Sequence, residues 1–418
     1  MKIKRIFSAF ICLVFACTIM LSAVSCIEIK AEDLMAGITG GAANGKAIDG
    51  AFTEAELDFS FSLFEKVASS GGKGNVLISP ISVLFALSMA ANGAEGQTLD
   101  EMEKTLGLTR EELNAYLYTY ISSLPNEEKC KLKVANSVWL RDDGSIRVNK
   151  PFLETVSGYY GAHAYAAPFD ASTVKDINKW VKDNTDGLID FVVNKIDPQT
   201  VMYIINTLVF DAEWTHVYER TEIEKGKFTT INGEERDIKY MHALESNCFD
   251  KADAEGVLKY YKGGKYAFAA VMPKEGDVYS YARSLTAEKF TEYFNFPESG
   301  NDRYREVYLP KFEYEYSLGM SDMLGAMGIN EAFGQNADFS GIGETGTGIL
   351  YIDEVLHKTF ISVDERGTRA GAVTVLEAGC GAMPPSEELH FDKPFVYFIV
   401  DMNTKLPVFM GIAADIGE

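Results

Sequence analysis

The chain has 418 residues, 47% of them hydrophobic and 24% charged, which excludes a disordered or fibrous polymer and leaves room for one large globular domain or two ordinary ones. Its formal charge of −22, with no basic cluster interleaved with aromatics, argues against binding nucleic acid.

The first segment reads as an address rather than as fold. Lys2, Lys4 and Arg5 precede an apolar run from Ile6 to Val24, the pattern of a secretory signal, with a retained membrane helix as the alternative. Ala23-Val24-Ser25-Cys26 sets a cysteine directly after small residues, as bacterial lipoprotein signals do. Lipid attachment at Cys26 is therefore expected, with ordinary cleavage and release as the alternative. Removal of residues 1–25 deepens the net charge to −25. Residues 26–52 hold Gly37, Gly40, Gly41, Gly45 and Gly50 and read as a flexible tether. From Phe52 onward no linker or repeat appears, so one domain is expected over 53–418.

Helix starts are marked early. Thr53 with Glu56, Thr98 with Glu101 and Thr109 with Glu112 each have capping-box spacing. Ser79 followed by Pro80 opens a helix that is apolar nearly all round to Ala91, and so buried. Strand-like runs follow at Val134–Leu140, Val201–Phe210, Tyr266–Met272, Glu306–Tyr316, Leu350–Val363 and Phe395–Met402. Helical stretches intervene at Val174–Thr185, Ala287–Phe294 and Ser321–Met327. Helices early and strands late predict an α+β domain.

Cys130, Cys248 and Cys380 are the cysteines left beyond Cys26; an odd count without metal spacing argues against a disulfide framework and points to no metal or other cofactor. No nucleophile elbow, zinc-protease helix, phosphate loop or dinucleotide fingerprint is present. A dispersed Ser/His/Asp triad built on one of five histidines stays open as a hydrolase reading, but no local pattern favours it.

The informative segment is Asp364–Pro385, DERGTRAGAVTVLEAGCGAMPP. With period two, Thr368, Ala370, Ala372, Thr374, Leu376 and Ala378 share one small or apolar face, while Arg369 and Glu377 fall on the other. Glycines weaken it as a permanent strand, and Pro384-Pro385 stops it. Fully extended, Gly367 to Gly379 would span roughly 43 Å at ~3.3 Å per residue, beyond an ordinary edge strand. The pattern suits a chain that can be loop or strand, with a plain edge strand or Gly-rich connection as the alternative.

This segment resembles the hinge and reactive loop of the serpin family. Other stretches resemble serpin signatures in the same order: Asn75–Thr98, Asn206–Trp214 (NTLVFDAEW), Pro310-Lys311-Phe312, Met327-Gly328, Ala337–Gly341 (ADFSG), Pro394-Phe395 and Phe409-Met410-Gly411. The resemblance covers about residues 53–416 and implies eight or nine helices around three β-sheets, with a large central sheet that accepts the loop. It implies an inhibitor of serine-type proteases, acting alone as a monomer, whose cleaved loop inserts into that sheet and traps the acyl-enzyme. Glu365, Gly367 and Thr368 match the hinge, and Ala370, Gly371 and Ala372 the small run after it. Arg369 stands where the family usually has Glu, the one departure that favours a non-inhibitory binding or structural serpin instead. Counting from Gly367 with Pro384-Pro385 as second anchor puts the attacked bond at Gly381–Ala382, with Cys380–Gly381 and Ala382–Met383 as alternatives. Tiny residues there suit an elastase-like or subtilisin-like protease with a shallow primary pocket. Ser79, Ser82, Asn206 and His357 match the polar cluster where the sheet opens, and Trp214 the aromatic at the mouth of insertion. Cys380 would lie on the bait loop, where oxidation could modulate it; an incidental thiol is the alternative.

Overall fold

The computed structural model describes residues 29–70, 72–142, 144, 146–294, 305–346, 349–368 and 387–417. The expectations for the signal and Cys26, and for Arg369, Ala370, Gly371, Ala372, Cys380, Gly381 and Ala382, lie outside these residues.

Among the described residues nine α-helices surround three large sheets and one two-stranded ribbon. The helices used below are α1 (Gly50–Ser69), α2 (Pro80–Ala91), α3 (Gly96–Leu106), α4 (Arg110–Ser122), α5 (Lys150–Tyr160) and α6 (Ala171–Asn184). The largest sheet contains β1 (Glu32–Asp33), β2 (Cys130–Arg141), β3 (His163–Ala167), β4 (Met202–Glu213), β5 (Phe312–Gly319), β6 (Leu356–Val363) and β7 (Gly367–Thr368). Their spatial order is β1-β3-β2-β4-β7-β6-β5, with Asn126–Glu127 added beside β2. A six-stranded sheet contains Val76–Ile78, Tyr266–Pro273, Phe395–Asp401 and Leu406–Ala413; a four-stranded one contains Glu235–Glu245, Arg305–Pro310 and Glu387–His390.

The α+β expectation holds, and α2 is buried at every residue, as its unbroken apolar run requires. Several local expectations are corrected. The Thr109–Glu112 capping box is present. The other two are not: Thr53 Oγ1 donates to the Asp49 carbonyl and Glu56 accepts from Ser60, both locally, while Thr98 and Glu101 serve a later loop. Asp49, not Thr53, caps α1, and Glu56 turns into the core. Thr98 Oγ1 accepts the Asp338 N–H, and Glu101 accepts those of Asn330 and Glu331, so both tie α3 to a later loop. The run Glu306–Tyr316 is two strands of two different sheets, broken at Lys311. Only Leu356–Val363 of the run from Leu350 is strand.

The tether is the largest correction. Residues 31–49 belong to the folded body. Glu32–Asp33 pairs antiparallel with Ala166 and Tyr165 at the sheet edge. Gly41 N–H donates to the Glu154 carbonyl, and a Cβ on Gly158 would meet Gly41 O at 2.6 Å. These glycines allow close approach to α5; here they are not a source of freedom.

One segment crosses the sheet. Asp186, just after α6, pairs with Lys131 (2.7 Å) and Lys133 (3.5 Å) on β2. Leu188 and Ile189 then line a cavity with Leu208–Phe210 of β4, Phe360–Ser362 of β6 and Thr368. Finally Phe191 lies 3.6 Å from the Lys358 ammonium of β6.

Candidate functional site

The site is built where β4 and β6 fail to pair. No ladder joins them directly among the described residues; the two-residue β7 stands between them. Gly367 and Thr368 pair antiparallel with Glu213 and Ala212 of β4, and Thr368 pairs with Val363 of β6. A Cβ on Gly367 would lie 1.9 Å from the Ala212 carbonyl oxygen, so only glycine fits there.

The turn that delivers β7 is held from within and without. Asp364 Oδ1 accepts the N–H groups of Arg366 (2.8 Å) and Gly367 (3.3 Å), and Asp364 N–H donates to Gly367 O. Trp214 N–H donates to Arg366 O at 2.7 Å, its indole Nε1–H to Asp364 O at 2.8 Å, and Tyr218 N–H to Glu365 O at 2.9 Å. The Glu365 carboxylate pairs with Lys311. Burial opposes that charge, but the ammonium prevails and holds the carboxyl below its usual range. Thr368 is 3% exposed, and its hydroxyl meets Tyr261 Oη at 2.5 Å. Tyr261 stacks on Trp214 with centroids 4.4 Å apart.

Beneath the sheet, the first turn of α2 reaches both flanking strands. Ser79 N–H donates to His357 Nε2 of β6 at 3.0 Å, and Ser82 Oγ bonds Asn206 Oδ1 of β4. Ser79 occupies the N-cap position, but its hydroxyl is spent on Val408 O rather than on the helix. Asn206 Nδ2 donates to Asn136 Oδ1 of β2 (2.7 Å), and Asn136 Nδ2 to the Tyr160 carbonyl of α5 (2.9 Å). Burial pushes the His357 imidazole down to about 4. It is therefore neutral, with Nε2 free to accept.

Residues 54–416 match the family described as Serpin (serine protease inhibitor). The chain belongs to the serpin family. It is 31% identical over 364 residues to an uncharacterized serpin-like protein of Thermococcus kodakarensis, covering 84% of this chain and 83% of the relative. The native-state crystal structure of the thermophilic serpin tengpin superposes with a TM-score of 0.87 at 42% identity, covering 93% of this chain and all of tengpin. Tengpin in its latent state gives 0.78 at 42% identity, covering 89% and 100%. Serpins as a family inhibit serine proteases rather than catalyse a reaction.

In this serpin the structure places Glu365, Gly367, Thr368 and Trp214 within one hydrogen-bonded unit, and Ser79 with His357 and Ser82 with Asn206 in the pairs just described. Sequence reasoning missed Asn136, Tyr261 and Lys311. Asn136 was findable: Asn136 and Asn206 each interrupt a β-rich apolar run, and they face each other across the ladder. Tyr261 carried no local signal, its partner lying 107 residues away, and Lys311, though within the Pro310-Lys311-Phe312 stretch, gave no sign of its carboxylate partner 54 residues on. Cys130 and Cys248 are free thiols, pushed by burial up to about 11 and about 12.

Proposed function

We propose that this serpin is an inhibitor of the suicide-substrate type, directed at elastase-like or subtilisin-like serine proteases. The protease serine Oγ attacks the Gly381 carbonyl carbon. The Gly381–Ala382 bond breaks, the serine hydroxyl proton passes to the leaving nitrogen so that Ala382 departs as a free amine, and an ester joins Gly381 to the serine. The freed chain then enters between β4 and β6 by strand addition and holds the ester before water can attack it. What supports this is the seating of Gly367 and Thr368 on both flanking strands, which gives the inserting chain a register from its first residues.

The shallow-pocket preference rests on the tiny residues at the attacked bond. With the signal over 1–25 and a lipid on Cys26, the site of action is the outside of a bacterial cell, where the protein works as a monomer, bound to the membrane only through that lipid. Incubation with a panel including elastase and subtilisin is expected to give an SDS-resistant adduct and a released peptide beginning at Ala382. Thr368→Arg, which forces a charge into a buried strand position, should convert the inhibitor into a substrate. Cleavage of the wild type by every such protease with no adduct would refute the reading.

A further inference from the structure

Lys259 is a buried charge that trapping, as described, leaves unused. It lies on the strand Ala254–Tyr260 and is only 4% exposed, a depth lysines rarely reach unpaired. Its ammonium donates to Glu245 Oε1 at 2.7 Å. The same ammonium stands 4.3 Å from the centre of the Tyr218 ring and 5.6 Å from that of Trp214. A desolvated ammonium facing aromatic rings binds them more strongly than one in water. Those two aromatics are the residues whose backbone N–H groups hold the Glu365 and Arg366 carbonyls, and whose indole holds that of Asp364. One buried cation thus fixes the rings that fix the turn.

We propose that Lys259, anchored by Glu245, is a positioning residue that keeps the 364–367 turn in the geometry from which the chain feeds between β4 and β6. The proposal deepens the trapping reading and rests on it. Insertion races hydrolysis of the acyl ester, and a turn already ordered spares the inserting chain the entropic cost of forming it. A loosened turn therefore loses the race more often, without changing how the bond is attacked.

The double variant Lys259→Met/Glu245→Leu removes both charges for apolar groups of similar length, so neither is left buried alone. Lys259→Arg with Glu245 intact is the restoring control. In the uncleaved double variant, amide exchange at Trp214 and Tyr218 should rise about tenfold through local opening, with unfolding elsewhere unaltered. With subtilisin, each adduct should be accompanied by several times more cleaved free chain, at an unchanged rate of loop cleavage, and the Arg variant should behave as wild type. Unchanged exchange, or raised exchange with an unchanged partition, overturns the proposal. Should the double variant fail to fold, Tyr218→Leu, which removes only the nearer ring, supplies the same two readings. If the wild type forms no adduct at all, the trapping reading fails by itself, and the exchange measurement still decides whether Lys259 holds the turn.

Discussion

His357 makes the sheet sensitive to acid in a way the structure quantifies. Its Nε2 accepts the Ser79 N–H at 3.0 Å, and burial holds its pKa at about 4 against an ordinary 6.5. Protonation would set two donors face to face. Below about pH 6.5 the unfolded chain takes up a proton that the native chain refuses until about pH 4, so stability falls as pH drops through that window. The depression corresponds to about 3 kcal/mol in full, of which about 2 kcal/mol is already lost at pH 5 relative to pH 8. His357→Gln offers the same N–H a carbonyl acceptor that does not titrate. Urea unfolding of wild type and variant across pH 4.5–8 should show the gap between them shifting by about 2 kcal/mol in favour of the variant toward pH 5. A gap that stays constant with pH would mean that the imidazole is not held neutral by burial, and the reasoning would fail.

Three further outcomes follow from particular atoms. Glu56 is 1% exposed, bonded only by Ser60 Oγ at 2.8 Å, and burial raises its pKa to about 8. Here the sign is opposite: stability is lost as pH climbs from about 4.5 through 8, by about 3 kcal/mol at pH 7, so Glu56→Gln should unfold later than wild type at pH 8 but not at pH 4. Gly367→Ala would drive a Cβ into the Ala212 carbonyl and unseat the hinge; gel assays with subtilisin should show cleaved chain in place of adduct. Asn136→Leu strips the Asn206 amide and the Tyr160 carbonyl of their partners, which should cost about 1–3 kcal/mol in denaturant unfolding, with non-additivity in the Asn136→Leu/Asn206→Leu double variant.

How much of this was legible in the sequence varied with the range of the interaction. The α2 helix could be read because burial on all sides leaves an unbroken apolar run. The tether failed because glycine reports two opposite things, freedom and close approach, and only the partner at Gly158 distinguishes them. The capping box at Thr98 failed because the same hydroxyl and carboxylate can serve another segment: Glu101 caps nothing in its own helix and binds 229 residues away. The one at Thr53 failed because Asp49, four residues earlier, takes the N-cap and draws the Thr53 hydroxyl to its carbonyl. The polar residues beneath the sheet were named from the family resemblance, but not how they divide. Ser79 and Ser82, three apart on one helix turn, each take a different strand, and that division depends on β4 and β6 standing apart.

That separation also bears on Arg369, which departs from the family pattern. Gly367 opposite Glu213 and Thr368 opposite Ala212 fix the register of any chain entering along β4. Continued by one residue, it sets Arg369 directly opposite Asp211; continued to the end of the strand, it brings Ala378 opposite Met202, so β4 accommodates the small-residue run and little more. Directly opposed residues share a face, and opposite charges there contribute roughly 0.2–1 kcal/mol while like charges oppose pairing. An insertion in this register would therefore favour arginine over glutamate at 369, where Asp211 already faces Lys131 on its other side. Arg369→Glu should lower the fraction of protease trapped, and Arg369→Glu with Asp211→Asn, which removes the like charge, should recover part of it, both read as adduct against cleaved chain on a denaturing gel. If Arg369→Glu traps as well as wild type, the entering chain does not follow the register that Gly367 and Thr368 set.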